Sequence, residues 1–409
     1  WVGRCGECQA WGSVEEIAAP KKLSLVPGKV THAAIPIGDV DLSSARARAT
    51  GVSELDRVLG GGLVPGAAIL LAGEPGVGKS TLLLSVAAQT AAKGIPALYI
   101  SGEESASQVR LRAERINAVD PKLFLASETD LGAVIAHIDS VKPELLIIDS
   151  VQTIGSAAAD GAPGGVTQVR EVAGALIRIC KDRDITLLLV GHVTKEGMLA
   201  GPKVLEHLVD AVLTFEGDRF ASHRLLRAVK NRFGATHELG VFEMQGQGLV
   251  EVNNPSELFL SGDEASGVAT IVACEGTRPL VVDLQALVST TSYASPRRTA
   301  TGIAVNRLHQ ILAVLEKHMG LPLSRFDCYL AVAGGLDVEE PAADLGVAAA
   351  VVASYRDLIL PAGTVLLGEL GLGGQLRPVG QLELRLQEAV RLGFRRAVVP
   401  KGCGLGTGE

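Results

Sequence analysis

At 409 residues the chain is too long for one compact core and is expected to hold two or more domains. Hydrophobic residues at 47% and charged residues at 20% exclude a disordered tail or a fibrous repeat, and aromatics at 3% leave the cores to Ala, Val, Leu and Ile. A net charge of -7 confines any nucleic-acid contact to local basic patches, and six scattered cysteines fit a reducing cytoplasm better than a disulfide scaffold.

No apolar run reaches the roughly 18 residues of a bilayer span, so no membrane partner is expected. The chain opens on Trp1 without a secretory signal and reads as a fragment. Residues 1–22 carry Cys5-Gly-Glu-Cys8, half of the four-ligand set of a tetrahedral zinc. Residues 23–50 mix Pro, Gly, Ser and charge and read as a linker.

Across residues 51–254 strand and helix patterns alternate. Strands are predicted at 69–72, 97–101, 144–149 and 186–191, and a helix at 81–93 closed by Gly94. Val169, Val172, Leu176 and Cys180 line one face of another helix. The alternation predicts an α/β domain with a parallel sheet covered by helices. Strand-like runs at 211–216, 224–231 and 240–244 follow without helices, as an antiparallel extension would. After a turn-rich boundary at 253–262 the pattern restarts over residues 255–409. Strands are expected at 269–274, 280–287 and 327–333, and helices at 302–318, 341–356 and 381–392. A Gly-rich hairpin is expected at 365–379.

Gly73-Glu74-Pro75-Gly76-Val77-Gly78-Lys79-Ser80, with Thr81 next, lies between a strand and a helix and matches the P-loop pattern. Glycines let backbone N–H groups turn around a β-phosphate, and the helix N-terminus adds partial positive charge. Lys79 should reach the β- and γ-phosphates of ATP or ADP, and the Ser80 hydroxyl should hold Mg2+. The apolar strand ending in Asp149 supplies a second Mg2+ carboxylate. Glu103 and Glu104 end another strand; Glu103 is favoured for orienting the attacking water and Glu104 comes second.

Residues 51–62, the P-loop, Ser101–Ser105 and Ile147–Ser150 together resemble the RecA/KaiC/DnaB-type ATPase core. Lys230-Asn231-Arg232-Phe233-Gly234 and Gly191-His-Val-Thr-Lys-Glu-Gly197 are more specific and resemble the RadA (Sms) family of bacterial DNA-repair proteins. The similarity extends from the cysteine pair to the last helix. It implies an ATP-driven DNA motor or branch-migration factor of homologous recombination. Such a motor forms a hexameric ring, hydrolyses ATP at subunit interfaces, binds single-stranded or branched DNA and works with the recombinase RecA. On a strand Lys230 and Arg232 share one side, and the resemblance implies that they are offered to a neighbouring subunit's γ-phosphate. It places two DNA loops at 154–168 and 194–203. The first can be mobile, Lys195 and Lys203 of the second are the DNA-binding cations, and His192 is a relay between nucleotide and DNA. It also implies a four-cysteine zinc finger in the full-length protein, of which Cys5 and Cys8 are a partial site.

Residues 339–345 and 374–383 resemble the α+β proteolytic domain of Lon, whose Ser nucleophile and Lys base fall on Ala342 and Glu383 here. A proteolytically inactive scaffold is implied, with a DNA surface from Arg297, Arg298, Arg307, Lys317 and Arg385. Its closing strand and helix are expected after Lys401, so the chain reads as truncated at its C-terminus. Two rival readings are a KaiC-like regulatory ATPase or autokinase and an ATP-dependent Lon-like protease.

Overall fold

The computed structural model describes residues 3–4, 11–14, 35–39, 45–192, 202–217, 222–262, 264–293 and 295–403. The chain divides into two compact units, Trp1–Ser43 and Ser44–Glu409. In the first, β1 (Gly3–Arg4) pairs antiparallel with β2 (Trp11–Val14).

The second unit begins with α1 (Ser53–Leu59), β3 (Ala68–Gly73), α2 (Lys79–Ala92), β4 (Ala97–Ser101), α3 (Ala106–Arg115), β5 (Leu123–Ser127) and α4 (Leu131–Val141). It continues with β6 (Leu145–Asp149), α5 (Val166–Asp182), β7 (Thr186–His192), α6 (Pro202–Leu205), β8 (Ala211–Glu216), β9 (His223–Asn231), β10 (Leu239–Gln245) and β11 (Gly248–Glu251). These strands form one nine-stranded sheet in the order β11-β10-β9-β8-β3-β7-β6-β4-β5. Pairing is parallel from β5 through β8 and antiparallel from β8 to β11. The antiparallel extension therefore begins one strand later than the run of helix-free segments predicts, because β8 still lies parallel to β3.

The central strands are apolar at nearly every position because helices cover both faces. Ile69 and Leu71 pack with Leu82, Leu83 and Val86 of α2, whereas Leu70 faces Val169, Val172 and Leu176 of α5. The predicted helical face of α5 is buried throughout, Cys180 included. Sequence periodicity did not resolve α1, α3, β5, α4 or β11. Helix α3 is short and has a polar average, and β5 is a half-buried edge strand.

The chain continues with β12 (Val268–Glu275), β13 (Arg278–Thr290), β14 (Arg298–Thr301), α7 (Val305–Met319), β15 (Phe326–Val332), α8 (Asp344–Arg356) and β16 (Thr364–Leu366). It ends with β17 (Glu369–Leu370), β18 (Leu376–Arg377), α9 (Leu382–Arg391) and β19 (Arg396–Val398). Six of these strands form a mixed sheet ordered β14-β15-β13-β12-β16-β19. The segment expected to be one hairpin is divided: Val365 pairs in parallel with Thr270 of β12, and only β17 and β18 form a hairpin. Strand β19 pairs in parallel with β16 at the edge of this sheet.

The two sheets share a boundary. Leu239 and Val241 of β10 belong to the core of the mixed sheet, while Phe242, on the other face of the same strand, belongs to the core of the nine-stranded sheet. Across this boundary Arg278 forms a buried ion pair with Glu54 and donates to the Leu239 carbonyl at 3.1 Å; Glu54 also accepts from the Val241 N–H at 2.7 Å.

Candidate active site

Parallel pairing brings the carboxyl ends of β3, β4, β6 and β7 to one edge of the sheet, where ligands of open α/β sheets bind. The P-loop leaves β3 and enters α2 at Lys79, with Gly78 as the preceding cap. No side chain caps α2, in contrast to Ser105 on α3 and Asp130 on α4, so its first N–H groups remain available to an anion. Gly76 has a φ of +81° and, among the described residues, nothing within 4 Å of where a Cβ would stand, which leaves an open cradle above the loop. Val77 instead packs into the core, and Pro75 is exposed.

Lys79 is 3% exposed, and its ammonium donates to the Gly73 and Glu74 carbonyls at 2.7 and 2.8 Å. Burial lowers its pKa to about 8, opposed by the charges of Asp149, Glu103 and Glu74. A buried cation resting on two neutral carbonyls, beside a bare helix N-terminus and an open cradle, fits a polyphosphate. For Mg2+ the donor set also fits. The buried Asp149 carboxylate accepts from Tyr99, whose hydroxyl is also bonded to Ser80, so the two oxygen donors are linked through one phenol. Burial, and then the charge of Asp149, pushes the Tyr99 phenol well above its usual pKa, so it stays a donor.

The two adjacent glutamates have different surroundings. Arg112 grips both oxygens of Glu104 at 2.5 Å, and the Glu104 N–H bonds Ser101 Oγ at 3.0 Å. Glu104 is thus neutralised by a side chain of α3. Glu103 is half exposed; its Oε1 receives Ser150 Oγ at 2.6 Å and lies 3.0 Å from His192 Nε2. Sequence reasoning missed Tyr99, Arg112 and Ser150. A polar-tipped aromatic in the otherwise aliphatic β4 was the one visible signal.

Lys230 and Arg232 both bond the segment 206–210, although Arg232 lies just beyond β9, so strand alternation does not carry the pair. Lys230 donates to the carbonyls of Glu206 and Val209 at 2.6 and 2.8 Å, and Arg232 pairs with buried Asp210 at 3.0 Å. Asp210 also holds Lys181 and the Ala68 N–H. Asn231, between the two cations, donates to the last carbonyls of α1, Val58 and Leu59, at 3.3 and 3.2 Å.

Within the loop 154–168 the Gln168 amide bonds Ser156, Ala159 and Gly161. Lys195 lies outside the described residues, as do Cys5, Cys8 and the side chain of Lys203, which sits on α6. Among the described residues no group of three or more His, Cys, Asp or Glu side chains could hold a metal ion. No helix among them is long and apolar enough to cross a membrane.

Ala342 is buried in a short 3-10 turn that leads into α8, and Glu383 is exposed in the first turn of α9. Two expected surface cations are not free. Arg385 is 3% exposed and clamps Glu340 at 2.6 and 2.5 Å, and Arg307 pairs with buried Asp344. Arg297 stacks on Tyr293 at 3.7 Å from the ring centre.

A family model described as an AAA domain matches residues 39–198. The chain is 53% identical to the DNA repair protein RadA of Synechocystis sp. over 98% of its own length and 86% of that protein. It is 48% identical to the DNA repair protein RadA of Listeria monocytogenes, over 98% of this chain and 89% of that one. Among solved structures, a KaiC-like protein from Pyrococcus horikoshii is 21% identical with a TM-score of 0.44, covering 51% of this chain and 99% of that one.

Proposed function

The chain belongs to the RadA family of DNA repair proteins, and on that premise we propose that it is an ATP-driven DNA motor of homologous recombination and repair. It hydrolyses ATP at the junctions of a hexameric ring, draws on single-stranded or branched DNA, and acts beside the recombinase RecA in the cytoplasm. The observation that carries this reading is the meeting of Lys79, Asp149, Glu103 and His192 at one edge of the sheet.

Lys79 and the N–H groups opening α2 bind the β- and γ-phosphates, with Gly73, Gly76 and Gly78 shaping the loop. Mg2+, held by Ser80 and Asp149, neutralises phosphate charge when bound with the nucleotide. Glu103 orients the attacking water through Oε2, while Glu104, bound by Arg112, keeps α3 in place. Lys230 and Arg232 are the cations offered to a neighbouring subunit's nucleotide, exchanging their carbonyl and Asp210 partners for phosphate on ring closure. His192 ends β7 beside Glu103 and leads directly into the segment carrying Lys195 and Lys203, so it can pass phosphate state to the DNA contacts. Cys5 and Cys8 are half of a zinc finger of the full-length protein. Residues 255–409 serve as a Lon-like scaffold without protease activity, since neither a hydroxyl at 342 nor an amine at 383 is present.

The test is ATP hydrolysis by the assembled protein with and without single-stranded DNA. Stimulation by DNA is expected, and Lys79→Ala should be inactive in both conditions. No stimulation would favour a regulatory ATPase, and labelled γ-phosphate entering the chain would favour an autokinase. Lys230→Ala should form the ring yet lose the DNA-stimulated rate; an unchanged rate would end the trans role.

A further inference from the structure

The carboxylate read above as the water-orienting group sits at the end of a flexible side chain, and an exposed Glu visits many rotamers. Catalysis of proton transfer needs the accepting oxygen held within hydrogen-bond reach of the water in one orientation. The surroundings of Glu103 supply that restraint asymmetrically. Ser150 Oγ donates to Oε1 at 2.6 Å, and His192 Nε2 meets the same oxygen at 3.0 Å. Among the described residues, none hydrogen-bonds Oε2. Two contacts converging on one oxygen hold the carboxylate by that atom and leave the other oxygen without a hydrogen-bond partner among the described residues.

Of the two, Ser150 is firmly mounted. Ser150 is fully buried directly after Asp149, and its carbonyl receives the Thr153 hydroxyl at 2.7 Å. The neighbouring Gly102 N–H donates to the Asp149 carbonyl at 2.8 Å, locking the end of β4 to the end of β6. A Cβ on Gly102 would stand 2.0 Å from Thr153 Oγ1, so the backbone carrying Glu103 is pressed against this turn. His192 Nδ1 is buried and has no partner among the described residues. In the tautomer that carries its proton on Nε2, His192 donates to Glu103 Oε1.

We propose that Ser150 is the positioning residue of Glu103: its hydroxyl pins Oε1, with His192 as the second pin, so that Oε2 alone faces the attacking water. The inference rests on the reading of Glu103 as the water-orienting group. It assigns Ser150 a role that neither the P-loop pattern nor the strand ending in Asp149 supplies.

The experiment uses the full chain, with kcat and KM for ATP in the presence of single-stranded DNA and affinity for ADP measured separately. Ser150→Ala should lower kcat by roughly tenfold or more, the effect of one hydrogen bond to a charged group, with KM and ADP affinity within about twofold. Ser150→Cys, nearly the same size but a weaker donor, should fall between the two. In the double variant Ser150→Ala/Glu103→Gln, kcat should be no lower than in Glu103→Gln alone, because the hydroxyl acts only through the carboxylate. A further tenfold loss in the double variant would overturn the proposal, as would a normal kcat for Ser150→Ala. Equal loss of ADP affinity and kcat in both Ser150 variants would also overturn it, since that marks a collapsed site. If Glu103→Gln keeps full activity, the water-orienting reading itself fails, a result the Ser150 variants alone could not give.

Discussion

Lys79 makes nucleotide binding sensitive to pH in a direction that burial dictates. Its pKa is lowered to about 8 mainly by desolvation, against an ordinary value near 10.5. A polyphosphate binds the ammonium form, so affinity should be flat below pH 8, where that form is present. Above pH 8 the free protein must first regain a proton, and affinity should fall roughly tenfold per pH unit, 1.36 kcal/mol each. The effect on folding has the opposite sense. Between pH 8 and 10.5 the unfolded chain binds more protons at this site than the folded one, so stability rises with pH. The depressed pKa corresponds to a cost of about 3 kcal/mol, fully present below pH 8 and relieved above it. The assay is calorimetric titration with ADP from pH 7.5 to 9.5, a range above the phosphate's own titration near pH 6. Binding at pH 8 should take up about half a proton, seen as a dependence on buffer ionisation heat. Lys79→Arg stays charged throughout and should show a flat profile. If the unsubstituted protein were as flat as Lys79→Arg up to pH 9.5, the buried, desolvated lysine described here would be wrong.

Two other outcomes follow from buried and half-buried pairs. Arg278→Leu strands the Glu54 carboxylate between the two sheets and removes a partner of the Leu239 carbonyl. A loss of about 3–5 kcal/mol is expected, read from the urea midpoint by circular dichroism; an unshifted midpoint would show that the pair is solvated. Glu104→Gln, which weakens a contact with Arg112 but leaves Glu103 intact, should keep kcat within about threefold, whereas Glu103→Gln should lower it by roughly a hundredfold or more. The reverse ranking in steady-state ATP hydrolysis would exchange the roles of the two glutamates.

The sequence by itself determined what local chemistry and periodicity encode. The P-loop between strand and helix, the apolar strand ending at Asp149, the buried face of α5 and the second cluster of strands after the turn-rich boundary were all legible. Each depends on spacing within a short stretch of chain: glycines that admit a positive φ, a 3.6-residue apolar repeat, a continuous apolar run for a strand covered on both faces. Only the tertiary structure separates the surroundings of Glu103 and Glu104, because their difference comes from Ser150, His192 and Arg112, brought in from other elements. It alone showed that Arg385 is buried against Glu340 and that Lys230 rests on the carbonyls of Glu206 and Val209. A charge in a sequence has no partner until the chain folds. Which cation faces solvent and which carboxylate stays free is set by contacts between distant elements, and no periodicity records them.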